Sequence, residues 1–598
     1  MTAKEKLSAL RAEMAKRGAD ILLVPSDDYH QSEYVGDYFK ARAYISGFTG
    51  SAGTLVITAE DAKLFTDGRY YIQAERQLKD STIDLMRFGT EGVPTPTEYV
   101  ISLLSDSKRG LKTLAFDGKC VSAKFADGLR AKLPEGTTLL TDTDYPALIW
   151  QDRPALPASK IWAYDIKYSG KSHTDKLSLV RAALCEKKCS ALVMSSLCDI
   201  AWLYNLRGDD VTNTPVFLSY SIITDTEDKL FVNLDAVSEV RPSLEAEGVS
   251  VYDYSEFYAE LEKLSGASVM VDKSAISEAI VSALGNANVV DAANPTVILK
   301  ARKNQTELEN TRRAHIAEGL ALTKMMIELK YGDSEHDELS VEQRLISYRR
   351  ESAQRVGVTY LDESFGAICA FGPNAAMAHY SATAESYSKI DKNAPVPMLL
   401  IDTGGHYLEG STDATRTFVL GDIPNEVKLH YTLTACGSLR LANLTFLEGA
   451  TGVAIDIIAR QLMWERGIDF RHGTGHGIGH LLSVHEGPNS IHWGRSAAKI
   501  EENMITSDEP GIYVEGSHGI RIENELITIK AMHNEFGQFM RFENITHCPI
   551  DLDGIDVAVM DNSDIRMLNE YHKRVYDTLS PYLCNGDKEK LAYLTRAI

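Results

Sequence analysis

The stretch PVPMLLIDTGGHYLEGSTDATRTFVLG, residues 395–421, decides how this chain is read. An apolar run, Met398 to Ile401, stops at Asp402. Gly404, Gly405 and Gly410 supply turn backbone, and Thr412–Leu420 returns as a strand rich in β-branched residues. A hairpin centred between Tyr407 and Leu408 makes Asp402 and Asp413 symmetric, so they face each other across adjacent strands with β-carbons roughly 5 Å apart. Like charges so placed destabilise a sheet unless a cation sits between them.

A second segment, MITSDEPGIYVEGSHGIRIENELITIK, residues 504–530, repeats the pattern. Asp508-Glu509-Pro510 closes one strand, Gly519–Ile529 forms the next, and Glu509 and Glu523 are symmetric about Gly516. Two hairpins distant in sequence each present a facing acidic pair, which predicts a pseudo-two-fold arrangement with four carboxylates meeting. Between them lies RHGTGHGIGHLLSVHEGPN, residues 471–489, with His472, His476, His480 and His485. Glycines 473, 475, 477 and 479 let backbone pass close to a bound group. Four carboxylates and a neutral imidazole carry four negative charges, which two divalent cations cancel. Hard oxygen donors suit Mn²⁺ or Mg²⁺, with Zn²⁺ or Co²⁺ admitted once an imidazole joins. Two such ions would hold a bridging water, lower its pKa and polarise a carbonyl. Each piece alone also reads as a solvated loop acid, a structural histidine or a tight turn; their joint occurrence points to metal chemistry.

Working outward, an offset of 170 residues aligns 6–26 with 176–196 without a gap. Lys6-Leu7-Ser8 matches Lys176-Leu177-Ser178, Arg11-Ala12 matches Arg181-Ala182, and Ser26 matches Ser196. Each copy reads as an amphipathic helix, a short apolar strand (Ile21–Val24; Ala191–Met194), an aromatic-rich turn, then a further strand (Thr54–Thr58; Val216–Thr224). An internal α/β duplication follows. Linker signals at Trp150–Pro157 and at Ala292-Ala293-Asn294-Pro295 divide the chain into 1–152, 153–295 and 296–598. A long helix from Gln305 to Leu329, stopped by Gly332, opens the third part. A helix from Ser563 to Leu579, with Ser563 as N-cap, lies in an extension from about 540. Tyr571, Tyr576 and Leu579 at helical spacing are expected to pack on the catalytic part or on a second subunit.

The 598 residues are 44% hydrophobic and 24% charged, a globular composition that excludes disorder, collagen and coiled coil. A net charge of −22 disfavours nucleic acid and anionic membranes as partners. The densest basic clusters, Lys300-Ala301-Arg302-Lys303, Arg312-Arg313 and Arg349-Arg350, have acids close behind them and read as a solvated mixed-charge face. No signal-peptide core or apolar run of membrane-spanning length is present, so a soluble cytoplasmic protein is expected. Eight cysteines are scattered; Cys185 and Cys189 could share a helix face, but isolated buried thiols are expected.

These motifs resemble the pita-bread metallopeptidase family, which includes methionine aminopeptidase, prolidase, creatinase and Xaa-Pro aminopeptidase. By that resemblance the metal ligands are Asp402, Asp413 in S-T-D-A-T-R-T, His476 in H-G-T-G-H-G, Glu509 in S-D-E-P-G-I-Y and Glu523 in G-I-R-I-E-N. Asp413 and Glu523 would bridge both ions. Gly47–Thr54, Thr66–Tyr71, Trp202–Gly208, Asn213–Phe217, Val484–Pro488 and Ile550–Asp553 extend the likeness to the three-domain, cytosolic-type branch of Xaa-Pro aminopeptidases. The fold implied is α/β (α+β): two duplicated creatinase-like N-terminal domains followed by a pita-bread catalytic domain.

The resemblance also implies two divalent metal ions per subunit, Mn²⁺ first, and a homodimer acting on short peptides with proline at position 2. His379, His472, His485 and Arg521 would contact substrate, with His485 donating to the developing oxyanion, His379 acting at the scissile amide, and His472 and Arg521 lining the proline pocket. Glu509 would also move the water's proton to the leaving nitrogen. Arg521 has a second reading, as a strand cation neutralising the acids. His480 and Tyr380 read as structural. Two rivals stand beside this one: a prolidase restricted to Xaa-Pro dipeptides, and a metal-free binding module of the same fold, which broken ligand positions would mark.

Overall fold

Helix α1 (Ala3–Arg17) starts where Thr2 and Glu5 cap each other reciprocally and ends at Gly18, whose φ of +68° is left-handed. It buries Leu7, Leu10 and Met14, the stripe its sequence spacing sets. Helix α2 (His173–Glu186), capped in the same way by Ser172 and Asp175, is its duplicate; it ends before Cys189, and Cys185 on it is exposed rather than buried. The computed structural model describes residues 1–494 and 497–598. The chain divides into two compact units, 1–165 with 171–296, and 166–170 with 297–598.

The first unit carries two six-stranded sheets. In the first, β1 (Ile21–Val24), β2 (Thr54–Thr58), β3 (Ala62–Thr66), β4 (Asp84–Arg87), β5 (Thr113–Ala115) and β6 (Thr138–Leu140) lie in the order β4-β3-β2-β1-β5-β6. In the second, β7 (Ala191–Met194), β8 (Ser219–Thr224), β9 (Asp228–Val232), β10 (Ser250–Asp253), β11 (Ser268–Val271) and β12 (Asn288–Asp291) repeat it as β10-β9-β8-β7-β11-β12. The strand directions also repeat: the first pairs are antiparallel, the outer ones parallel. The duplication expected from a 21-residue match therefore extends through both folds. Strand β8 begins at Ser219 rather than Val216. The backbone of 216–218 is taken up by the preceding loop, with Asp210 N–H donating to Val216 O and Leu218 N–H to the Asp210 carboxylate.

In the second unit, α3 (Gln305–Tyr331) and α4 (Glu338–Val356) pack against a sheet of β13 (Ile368–Phe371), β14 (Met398–Thr403) and β17 (Ala414–Val419). Between β14 and β17 the chain makes the small strands β15 (Gly405–Tyr407) and β16 (Gly410–Ser411). Helices α5 (Asn425–Ala442) and α6 (Gly452–Trp464) follow. Then come β18 (Gly475–His476), β19 (Ile505–Asp508), β20 (Gly511–Val514), β21 (His518–Arg521), β22 (Asn524–Asn534) and β23 (Gly537–Asn544). Helix α7 (Asn562–Leu579) packs Tyr571 and Leu579 into a core shared with Tyr431 and Ile520. Its N-cap is Asp561, not Ser563. The Asp561 carboxylate accepts from the backbone N–H groups of Ser563 and Asp564, and Asp564 reciprocates, so a carboxylate two residues earlier wins the orphan donors.

The basic clusters are a solvated face only in part: Arg302, Arg313 and Arg350 are exposed. Lys300, Lys303 and Arg349 are all buried. Lys300 and Lys303 grip Glu486 at 2.7 and 2.6 Å, and Arg349 grips Glu318 at 2.9 Å. Their counter-charges come from residues far away in sequence, which a local reading does not reach.

Candidate metal centre

The first hairpin turns one residue later than its symmetry suggested. The backbone pairs Asp402 with Thr415, His406 with Ser411, and Tyr407 with Gly410, so Leu408-Glu409 is the turn. Asp402 therefore faces Thr415, and Asp413 is its diagonal neighbour on the same face rather than its direct partner. Loop contacts fix this choice: Leu408 N–H donates to Thr359 O, and Thr359 N–H to the Glu409 carboxylate. Gly404 allows the strands to close, because a β-carbon there would stand 1.8 Å from Thr412 O. The second hairpin keeps its expected register. Gly511 pairs with Arg521 and Asp508 with Asn524, placing Glu509 opposite Glu523 about Gly516.

The hairpins meet where β17 runs beside residues 521–525. Glu523 N–H donates to Thr415 O at 3.0 Å and Arg521 N–H to Thr417 Oγ1 at 3.1 Å. Thr415 Oγ1 donates to Glu523 Oε2 at 2.7 Å, and Asp413 N–H to Glu525 Oε1 at 2.6 Å. His476 enters on β18, seated by its N–H donating to Ser507 Oγ. The alternate glycines let this segment lie on neighbouring backbone: β-carbons at Gly475 and Gly477 would meet Ser507 O and Glu486 O at 1.9 and 2.0 Å.

Asp413, His476 and Glu523 each offer one ligand atom, all within 4.8 Å of one another. His476 Nε2 is also 3.5 Å from Glu509 Oε1 and 3.6 Å from Asp413 Oδ2. Asp402 joins from the side: one oxygen is ion-paired with the Arg521 guanidinium, while Oδ1 is buried without a hydrogen-bond partner among the described residues. Asp413 Oδ1 is in the same condition. Burial, then the charges of Glu523 and Asp402, push the Asp413 carboxyl far above its ordinary range. Burial and the charges of Asp402 and Glu509 do the same to Glu523. Glu509 is pushed up to about 7, by burial first and against the pull of Arg521. Acids that raise one another in this way, with buried oxygens that find no donor, fit a divalent cation as their missing partner.

The substrate residues implied by the resemblance lie at this cluster to differing degrees. The His485 ring stands edge-on to His476, centroids 4.3 Å apart. His472 Nδ1 is 4.0 Å from Glu509 Oε2, and its Nε2 is 2.8 Å from the Tyr513 hydroxyl. Arg521 donates to that same hydroxyl at 2.6 Å and to Ala378 O at 3.4 Å, which brings the backbone beside His379 to the cluster's edge. In this geometry Arg521 is ion-paired with Asp402 and shares the Tyr513 hydroxyl with His472. Tyr513 and Thr415 are site residues the sequence reading passed over; Tyr513 lay within the quoted S-D-E-P-G-I-Y motif. His480 is buried, its Nδ1 3.1 Å from Thr311 Oγ1 and its Nε2 3.2 Å from Tyr168 O. Tyr380 is buried and donates to Glu338 Oε2.

Among the described residues, no helix is long and apolar enough to cross a membrane. Comparison with known proteins accounts for nearly the whole chain. A creatinase/prolidase N-terminal domain model matches residues 6–153 and a second one matches 152–307. Metallopeptidase family M24 matches 309–530, and the C-terminal region of peptidase M24 matches 538–598. A probable Xaa-Pro aminopeptidase P of Laccaria bicolor is 36% identical over 99% of this chain and 92% of its own. Its counterpart from Botryotinia fuckeliana is 37% identical over the same shares. The crystal structure of X-prolyl aminopeptidase from Caenorhabditis elegans, described as a cytosolic enzyme with a di-nuclear active site, superposes with TM-score 0.93 and 29% identity over all of both chains. A prolidase from Pyrococcus horikoshii, 19% identical with TM-score 0.50, covers 63% of this chain and shares the fold of that part.

Proposed function

We propose that this chain, which belongs to the M24 metallopeptidases and within them to the Xaa-Pro aminopeptidase P group, releases the N-terminal residue from peptides with proline in second position. The observation that carries the proposal is the convergence of Asp413, His476 and Glu523 on one point, with Glu509 and Asp402 beside them. Full-length likeness to the relatives above, rather than to the shorter prolidase, supports the aminopeptidase over the dipeptidase reading. All five ligand positions hold coordinating side chains, which weighs against a metal-free binding module.

Asp402, Asp413, His476, Glu509 and Glu523 would hold two divalent ions, Mn²⁺ by the hardness of the donors. When bound, they would supply an ionised water and a Lewis acid for the scissile carbonyl. Glu509 takes the attacking water's proton and delivers it to the leaving nitrogen. His485 donates a hydrogen bond to the developing oxyanion, and His379 acts at the scissile amide. His472, Tyr513 and Arg521 form a hydrogen-bonded wall for the pyrrolidine ring. The Xaa-Pro amide has no N–H, so a wall built for the ring replaces the donor contact that other peptides provide. We further propose domains at 1–152, 153–295 and 296–598, a cytoplasmic location and a homodimer.

Two assays test this. A tripeptide with proline second should be cleaved alongside or ahead of the matching dipeptide, and exclusive dipeptide cleavage would make the chain a prolidase. Asp413→Ala should lose bound metal and turnover together; full activity in that variant refutes the ligand assignment.

A further inference from the structure

A cavity of about 520 Å³ in the second unit shares no lining residue with the carboxylate cluster. It is enclosed by α3, the end of α5, α7 and β23, and its volume lies in the range of small-molecule sites. Apolar residues, Ile316, Phe542 and Ile545 among them, share its lining with polar ones.

Three arginines line it. Arg312 holds Glu543 through two parallel hydrogen bonds of 2.8 and 2.7 Å, so those charges cancel. Arg541 and Arg574 have no carboxylate partner among the described residues; Arg574 lies over the Tyr571 ring, 5.1 Å from its centroid. Glu570 is the one remaining acid on the lining, which leaves a local excess of one positive charge. In a chain carrying −22 overall, two guanidinium groups without an ion pair on one cavity are against the trend. His547, buried on the same lining, leaves its Nδ1 without a hydrogen-bond partner. Burial, then the field of Arg574, pushes this imidazole down to about 3, so the cavity wall resists a further cation.

We propose that this cavity binds a small organic anion, a phosphate or carboxylate carried on an apolar body, with Arg541 and Arg574 gripping the charged group. The guanidinium fork matches either anion in bidentate fashion, and the apolar part of the lining takes the body. The proposal does not rest on the peptidase reading.

Titration calorimetry of the metal-loaded protein tests it, with phenyl phosphate and phenylacetate as probes and inorganic phosphate and benzyl alcohol as controls. One probe should bind at least about tenfold more tightly than either control and separate the two anion sources. Because phosphate can also ligate the metal ions, the same titration is run on R541A/R574A. There the affinity should fall at least about tenfold, with peptide turnover in the absence of probe unchanged. Should the double variant fold poorly, R574Q replaces it under the same criterion. Equal affinity in wild type and variant, or no saturable binding at millimolar probe, overturns the proposal.

Discussion

Arg349→Met is the substitution that should test most directly how the first hairpin is held. Arg349 is fully buried on α4, and Glu318 on α3 is 2% exposed. The guanidinium donates to both Glu318 oxygens, at 2.9–3.1 Å, and to Thr403 Oγ1 at 2.5 Å. Glu318 in turn accepts from the Tyr407 hydroxyl at 3.0 Å and from Thr412 Oγ1 at 3.3 Å. Thr403 follows Asp402 and Thr412 precedes Asp413, so this ion pair clamps both strands beside two proposed ligands. Removing the cation leaves a buried carboxylate uncompensated, which costs about 3–5 kcal/mol. For a unit of roughly 300 residues, that predicts a fall of about 5–8 °C in Tm. Replacing both partners, E318L/R349M, removes the stranded charge and should recover a large part of the loss. Calorimetric scans with metal content measured in parallel give the comparison. A shift below about 2 °C in R349M, or a double variant no better than the single, would refute the clamp.

Three further outcomes are expected. Gly404→Ala should lose metal and at least about a hundredfold in turnover, because its β-carbon forces Thr412 backbone away from Asp402; near-normal metal content would contradict this. Glu486→Gln should destabilise more than Lys303→Met, since Glu486 alone balances two buried ammonium groups, and thermal scans decide the order. His547 and His572 are each held down to about 3 by burial, so the unfolded chain takes protons that the fold refuses. Their contribution to stability is full above about pH 6.5 and falls as pH drops towards 3, by up to about 1.4 kcal/mol per unit for each group. His572→Gln, which keeps an acceptor for Ile550 N–H, should flatten that slope, and an unchanged slope would exclude His572 as its source.

Much of this architecture was legible because it is written locally. Strands β1, β2 and β7 appear at the expected residues, since short β-branched or aliphatic runs between turn signals have few alternatives. The second hairpin could be registered by counting because Gly516, with φ of +75°, marks its turn. The first could not. Leu408-Glu409 carries no turn signature, and the register is set by Thr359, which is supplied from another strand region. Tyr513 and Thr415 escaped notice for a related reason: a hydroxyl reveals its role only when its partner is in view, and Arg521 and Glu523 are brought to them by folding.

Charge compensation separates the proposed metal ligands from the other buried acids. Glu318 has Arg349, Glu486 has two lysines, and Asp456 has Arg460 at 2.7 Å, each a carboxylate closed by a cation. Asp508, buried with no ion pair, is pushed well up by burial against the pull of Arg416; Ser438 donates to its Oδ2 while its Oδ1 finds no partner among the described residues, a state one isolated neutral acid can bear. That outcome does not extend to four acids at one point. Kept neutral, their hydroxyls would need acceptors, and kept charged, they repel. Arg521 meets one oxygen of Asp402 and Thr415 one of Glu523, yet Asp402 Oδ1 and Asp413 Oδ1 gain nothing from either. A divalent cation is the partner that satisfies these oxygens and cancels the repulsion at once. The same residues serve no evident structural purpose that an apolar pair across the hairpins could not serve better, and on that contrast the assignment of the centre rests.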